Sequence, residues 1–276
     1  MILCEGRHTV TGIYLAGQPS SRYWSLVKFL SRGRWDETQV IQRLIGLLIE
    51  YLPDGVYIYD HTHAIKTGKK PFGLHFFHNH RYQKRNTNQS KFHWGHQFAG
   101  LGILGLDGLV SRLFPVWVRL LDPEAVGASA LAAFESIVSV IPAGLIIFDR
   151  GFNNRKYFKA LLEQGHQLLC RARKNAAFFY LPLPSEQPKR GRKRIYGRRI
   201  HFQHWTYIQT KVPGFEHLLS VAHQIVRTRM CPQPVHLVVV RTRPKPSKPY
   251  RYFPVYTTDL TLSVETIVRY YKLRWG

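Results

Sequence analysis

The sequence predicts a mixed α/β sheet covered by helices and preceded by a small helical region. Three observations carry that expectation. Apolar residues in 1–53 recur near a helical period; two short β-favouring runs each end in an aspartate, Asp60 and Asp149; and the second of these runs is followed by a helix-like stretch and a further apolar run.

In chain order, Trp24, Leu26, Val27, Phe29 and Leu30, then Val40, Ile41, Leu44, Leu47 and Leu48, fall near a 3.6-residue period, so residues 1–53 read as helical. Val56 to Tyr59 reads as a first strand, and Gly73 to Phe77 and the stretch around Phe98 to Leu106 as a second and third. Ser129 to Ile141 places Leu131, Phe134, Val138 and Ile141 at helical spacing. Leu145 to Phe148 is a compact buried-strand run. A helix over Asn154 to Gln164 stops at Gly165, and His166 to Arg171 is the next strand. Residues 54–171 therefore form the first part of a core. Residues 172–251 change character, with proline-rich breaks and short runs such as Ile200 to Ile208 and Val235 to Val240, and read as a β-rich basic insertion. Residues 252–276 return to the core with a strand over Phe253 to Thr257. A final helix from Ser263 carries Val264, Ile267, Val268, Tyr271 and Trp275 on one face.

Charge narrows the partners. Forty lysines and arginines against sixteen acids leave +24, and Gln164 to Thr258 holds 18 basic residues against Glu186 and Glu216, a net +16. A polyanion is the natural partner, and nucleic acid fits best because each neutralised phosphate releases condensed counterions. The rival, an anionic membrane surface, gains no support: Glu5 and Arg7 interrupt the apolar residues after Met1, and Pro142 breaks the longest apolar run. Cys4, Cys170 and Cys231 suggest neither a disulfide framework nor a cysteine-rich zinc site, which fits a reducing cytoplasm.

Seven aspartates and nine glutamates are the available carboxylates. Asp60 and Asp149 stand out because side chains at the ends of adjacent strands converge at one edge of a sheet, as two-metal phosphodiester chemistry requires. The alternative is that an aspartate after a strand forms a turn or caps a helix. Seven of the fourteen histidines lie between His61 and His96, including His75, His78 and His80, but with no cysteine nearby a solvated loop is favoured over a zinc site. Lys189, Arg190, Arg192, Lys193, Arg194, Arg198 and Arg199 flank glycines and Tyr196, which suits close approach to a phosphate backbone. Tyr270, Tyr271 and Trp275 read as core aromatics.

Tyr57 to Lys70, Trp94 to Gln97, Ile146 to Phe152 and Lys189 to Gly197, taken together as separated blocks, resemble the DDE transposases of bacterial insertion sequences. Tyr57-Ile58-Tyr59-Asp60-His61-Thr62 with Lys66-Thr67-Gly68-Lys69-Lys70 is similar to the first catalytic block of that family, with His61 where a second aspartate is usual. Trp94-Gly95-His96-Gln97 and Ile146-Ile147-Phe148-Asp149-Arg150-Gly151-Phe152 resemble later blocks in the right order. Lys189 to Gly197 resembles a basic segment of the family's insertion, and Arg7 to Gly12 and Ser31 to Trp35 also look like the family. The resemblance implies a ribonuclease H-like fold and Asp60 and Asp149 as catalytic metal ligands, with Thr62 and Lys69 as supporting motif residues. It also implies Mg2+ or Mn2+ as cofactor, DNA as partner, strand cleavage and transfer as activity, and a cytoplasmic, nucleoid-associated location. It admits a homodimer on the DNA. In such proteins a third carboxylate is announced by a tyrosine and an arginine, which Tyr271 and Arg274 match. The glutamate would stand four positions after Arg274, two beyond Gly276. Glu265 lies about 13 residues too early, roughly 20 Å along a helix. The expectation is therefore a chain truncated before its third ligand and weak or inactive in strand transfer. A non-catalytic DNA-binding remnant or competitor, and an RNA-processing nuclease, are the alternatives.

Overall fold

The structure is a computed structural model describing all residues except 1–9, 18–19, 67, 69, 79–89, 108–109, 123, 125–128, 174, 244, 246 and 275–276. Lys69, His80, Trp275 and the block at Arg7 to Thr9 thus lie outside the described residues. The chain divides into two compact units, Met1–Arg43 and Leu44–Gly276. In the first, α1 (Val10–Gly17) and α2 (Tyr23–Arg32) pack through Tyr14 and Tyr23, whose rings meet edge to face at 5.4 Å. Asp36 starts α3 (Glu37–Tyr51) by accepting from the backbone N–H of Thr38 at 2.9 Å.

The second unit is built on one sheet. Its strands are β1 (Val56–Ile65), β2 (His75–His78), β3 (Phe92–Asp107), β4 (Val110–Leu121), β5 (Leu145–Phe148), β6 (Gln167–Arg171), β7 (Phe178–Phe179), β8 (Ile208–Thr210), β9 (Leu219–Thr228), β10 (Cys231–Thr242) and β11 (Arg251–Thr257). Among the described residues, α4 (Ala130–Val138), α5 (Arg155–Glu163) and α6 (Val264–Leu273) accompany them, besides the end of α3. From β4 the sheet runs β4-β3-β1-β5-β6, then β11-β10-β9-β7, with β2 on the same edge of β3 as β4 and β8 on β9. β1, β5 and β6 are parallel, while β3 is antiparallel to β1 and β4 to β3. A first strand extended on one side by an antiparallel meander through β3 and β4, and on the other by two parallel strands, is the ribonuclease H-like order that the resemblance implies.

Ser129, Asn154 and Ser263 each supply the side-chain oxygen that caps the next helix, accepting from the N–H of Ala132, Lys156 and Thr266 at 3.0–3.1 Å. Gly165, at φ +77°, ends the α5 segment. The central strands are apolar on both faces because helices cover both. On one face Tyr59, Phe148 and Cys170 pack with Phe134 of α4 and Phe158 of α5. On the other, Val56, Ile58, Ile147, Leu169, Val238 and Val255 meet Ile267 and Val268 of α6.

Two segments depart from expectation. No strand is expected over Val110–Leu121 from the sequence, yet β4 forms there with Pro115 in its middle, a residue that a regular central strand does not hold. The chain accommodates it with a bulge at Val116, between the pairs Leu101↔Trp117 and Gly102↔Pro115. Ile200 to Ile208 holds a single 3₁₀ turn, Phe202–His204, before β8 begins at Ile208, so its alternation is not that of a continuous strand.

His236 on β10 is buried and shares a 3.1 Å hydrogen bond with the ring of His223. Burial first, and then His223, hold its imidazole below the ordinary 6.5. A histidine with a lowered folded pKa contributes stability that is present above the unfolded value and is lost as pH falls through it. The melting temperature should therefore drop as pH goes from about 7 to about 5, and His236→Gln should flatten that slope. An unchanged slope in the variant would remove His236 from the acid response.

Candidate active site

The site forms where β5 ends and its pairing with β1 stops; β1 itself does not end at Asp60, as its apolar run suggests, but continues to Ile65 along β3. Ile58 pairs with Ile147 in parallel register, so Asp60 and Asp149, each two residues on, stand level on neighbouring strands and on the same face of the sheet. Asp149 precedes a 3₁₀ turn, Arg150–Phe152, but its side chain makes no capping bond. The turn is closed instead by the backbone, Phe152 N–H donating to Asp149 O at 3.0 Å, which leaves the carboxylate outside the turn.

Both carboxylates meet one guanidinium. Arg274, at the end of α6, donates from Nη1 to Asp60 Oδ2 at 3.0 Å, and its Nη2 lies 3.3 Å from Asp149 Oδ1. The arginine side chain is 1% exposed, against 53% for Asp60 and 34% for Asp149, so a buried cation sits behind two acids that face solvent. The Tyr271 ring lies one turn back, 5.9 Å from the guanidinium carbon, and helps wall it in. Apolar packing of Ile267 and Val268 sets the register of α6, and that register delivers Arg274 to the sheet edge.

His61 follows Asp60, and its backbone N–H donates to Asp60 Oδ1 at 2.8 Å. Its ring nitrogens reach the Tyr59 hydroxyl at 3.1 Å and the Gln97 amide at 3.4 Å, and the ring stands edge-on to Phe152. Burial, with His63 adding to it, pushes its pKa down to about 4. The position that the resemblance gives to a second aspartate therefore holds a neutral ring near pH 7, which adds no anionic charge beside Asp60. Thr62 lies exposed on the same face of β1 as Asp60.

Asn153 and Tyr256 were not singled out by sequence. Asn153 is 1% exposed, accepts from the Tyr256 hydroxyl at 3.1 Å, and approaches Arg171 O with its amide at 3.4 Å. These contacts tie the turn after Asp149 to β6 and β11. No local pattern marks them, because the partners are about a hundred residues apart in sequence.

A divalent ion would suit the pair: two solvent-reachable carboxylates are hard oxygen donors. Among the described residues no group of three or more His, Cys, Asp or Glu side chains is placed to hold a metal. His63 stacks on Phe77 at 4.1 Å and His78 meets Phe92 edge-on, so these members of the histidine cluster pack on rings.

The basic residues Lys189, Arg190, Arg192, Lys193, Arg194, Arg198 and Arg199 are all exposed, on an extended loop whose two arms pair. Tyr180 N–H donates to Arg198 O at 3.0 Å, Gln187 bonds both backbone groups of Arg194, and Gly191 takes φ +88° near the tip. Among the described residues no helix is long and apolar enough to cross a membrane.

Comparison with known families finds two matches. Residues 124–276 match the model of the transposase DDE domain, and residues 1–101 match that of the DDE superfamily endonuclease. No protein of curated function matches the sequence.

Proposed function

This chain belongs to the transposase DDE-domain family, whose function is DNA transposition, and from that premise we propose that Asp60 and Asp149 hold Mg2+ or Mn2+ for DNA strand cleavage and transfer. The observation that carries the reading is the level placement of the two carboxylates on parallel strands, both within reach of the Arg274 guanidinium. A divalent ion bound there would supply Lewis-acid stabilisation of the attacking and leaving oxygens of a phosphodiester. The chain's own residues do the rest. Arg274 offsets one of the two negative charges when no ion is bound, would have to move aside from the acids to admit one, and its freed guanidinium could then pair with a phosphate oxygen. The His61 N–H holds one lobe of Asp60 and leaves the other for the ion.

Asp60→Asn and Asp149→Asn test the proposal through Mn2+ binding, followed by electron paramagnetic resonance or calorimetry. Each variant should lose at least about tenfold in affinity, the scale expected when a ligand charge is removed. Equal binding by the parent and both variants would place the metal elsewhere. A second reading, DNA binding without cleavage, draws on the same Arg274 contacts, which already occupy an oxygen of each carboxylate. A parent protein that binds DNA tightly and takes up no Mn2+ would select it.

A further inference from the structure

The face of the sheet that carries Asp60 continues past the site as a strip of exposed rings. Asp60 pairs with Gly100, and Thr62 with Phe98, so the alternate β3 residues Phe98, His96, Trp94 and Phe92 lie on that face. β2 widens the strip by one strand, because Phe76 pairs with Trp94 and His78 with Phe92. The Phe76 ring stacks on Phe92 at 5.2 Å and meets Trp94 at 5.1 Å, yet all three side chains remain exposed, Phe76 at 56%. Trp94 stands six residues along β3 from Gly100, which sets it roughly 20 Å from the level of Asp60. Contiguous exposed apolar surface of this kind marks a contact with something else.

Charge around the strip selects the partner. Between His61 and Leu106 the sequence holds seven lysines and arginines and no aspartate or glutamate. Lys91 Nζ lies 5.4 Å from the centre of the Phe92 ring, and Lys66, also exposed, donates its backbone N–H to Trp94 O at 2.9 Å. A second copy of this chain would bring like charges together over the rings. An anion with flat apolar groups fits both features, and a strand of nucleotides is one. Bases inside a duplex have their faces covered by neighbours, whereas a single strand leaves them open. We propose that Phe76, Phe92 and Trp94 form a stacking platform for unpaired bases of a DNA strand running along β3 away from Asp60, with Lys66 and Lys91 on its phosphates. The inference rests on the reading of this chain as a DNA-binding protein. It adds a surface on the side of β1 away from β5 and Asp149, carried by other strands than those beside the basic loop at Lys189 to Arg199.

The test measures, by fluorescence anisotropy with the full 276-residue chain, binding of a short thymidine oligonucleotide, an abasic strand of equal length and a blunt duplex. The parent should prefer the thymidine strand to the abasic one by about tenfold or more, because stacking needs the base and phosphate contacts do not. The Phe76→Ala, Trp94→Ala double variant should erase that preference and keep duplex affinity within about twofold. Both side chains are exposed, so its melting temperature should stay close to the parent's. Trp94→Phe, which keeps a ring, should retain most of the preference. A double variant that still favours the thymidine strand as the parent does would overturn the proposal. So would a parent that binds both single strands equally, since charge alone would then hold them. Binding of the parent to phosphatidylserine vesicles, lost in the double variant while the base preference persists, would give the strip to a lipid surface instead. A parent that binds duplex but neither single strand sinks the platform alone, whereas a parent that binds no DNA removes the reading beneath it.

Discussion

Replacing Lys189, Arg190, Arg192, Lys193 and Arg194 together with glutamine should weaken duplex DNA binding about a hundredfold or more near 0.1 M salt, and should lower the salt dependence by about four. Each phosphate contact contributes close to one unit of slope through counterion release, and these five side chains are all exposed on one loop. The fold should survive the change. What holds the loop is backbone pairing and the Gln187 side chain, which bonds Arg194 N–H at 2.9 Å and Arg194 O at 3.1 Å, and none of this needs the five charges. Titrations of parent and variant at several salt concentrations read both quantities. Unchanged affinity and slope would move the main phosphate contacts off this loop, leaving the rest of the +24 charge to supply them.

Phe148→Ala should cost about 3–5 kcal/mol of stability and lower the melting temperature by on the order of 10 °C. Phe148 is fully buried and meets Phe134, Phe152, Phe158 and Tyr59 with ring centroids 5.6–6.3 Å away, so truncation leaves a cavity among rigid rings that cannot collapse into it. The effect reaches the site because Asp149 is the next residue and Phe152 closes the turn that aims it. A thermal melt gives the first number, and Mn2+ titration of the folded variant should show weakened binding. A melting temperature within about 2 °C of the parent would mean that the ring cluster relaxes far more readily than close packing allows.

Much of this architecture was legible because its causes are local. The runs ending at Asp60 and Asp149 are apolar on consecutive residues because both faces of their strands are covered, and Ser129, Asn154 and Ser263 announce their helices by capping them. β4, with Pro115 at its middle, lay outside that reading. A proline excludes a regular central strand, but β4 pairs only with β3 and has a bulge at Val116, and local sequence reveals neither circumstance. The His61 substitution could be seen, but not its consequence, since the lowered pKa comes from burial among Tyr59, Phe152 and Gln97, which three different segments supply.

The sequence by itself determined the succession of α4, β5, α5 and β6, the two aspartates that follow apolar runs, the excess of positive charge and where in the chain it lies. Each depends on neighbouring residues or on composition. Only the tertiary structure decided that Asp60 and Asp149 stand level and that Arg274 lies between them from 125 residues beyond the nearer one. The reason is that electrostatic contact depends on distance in space, and strand register together with helix packing, not separation along the chain, sets that distance.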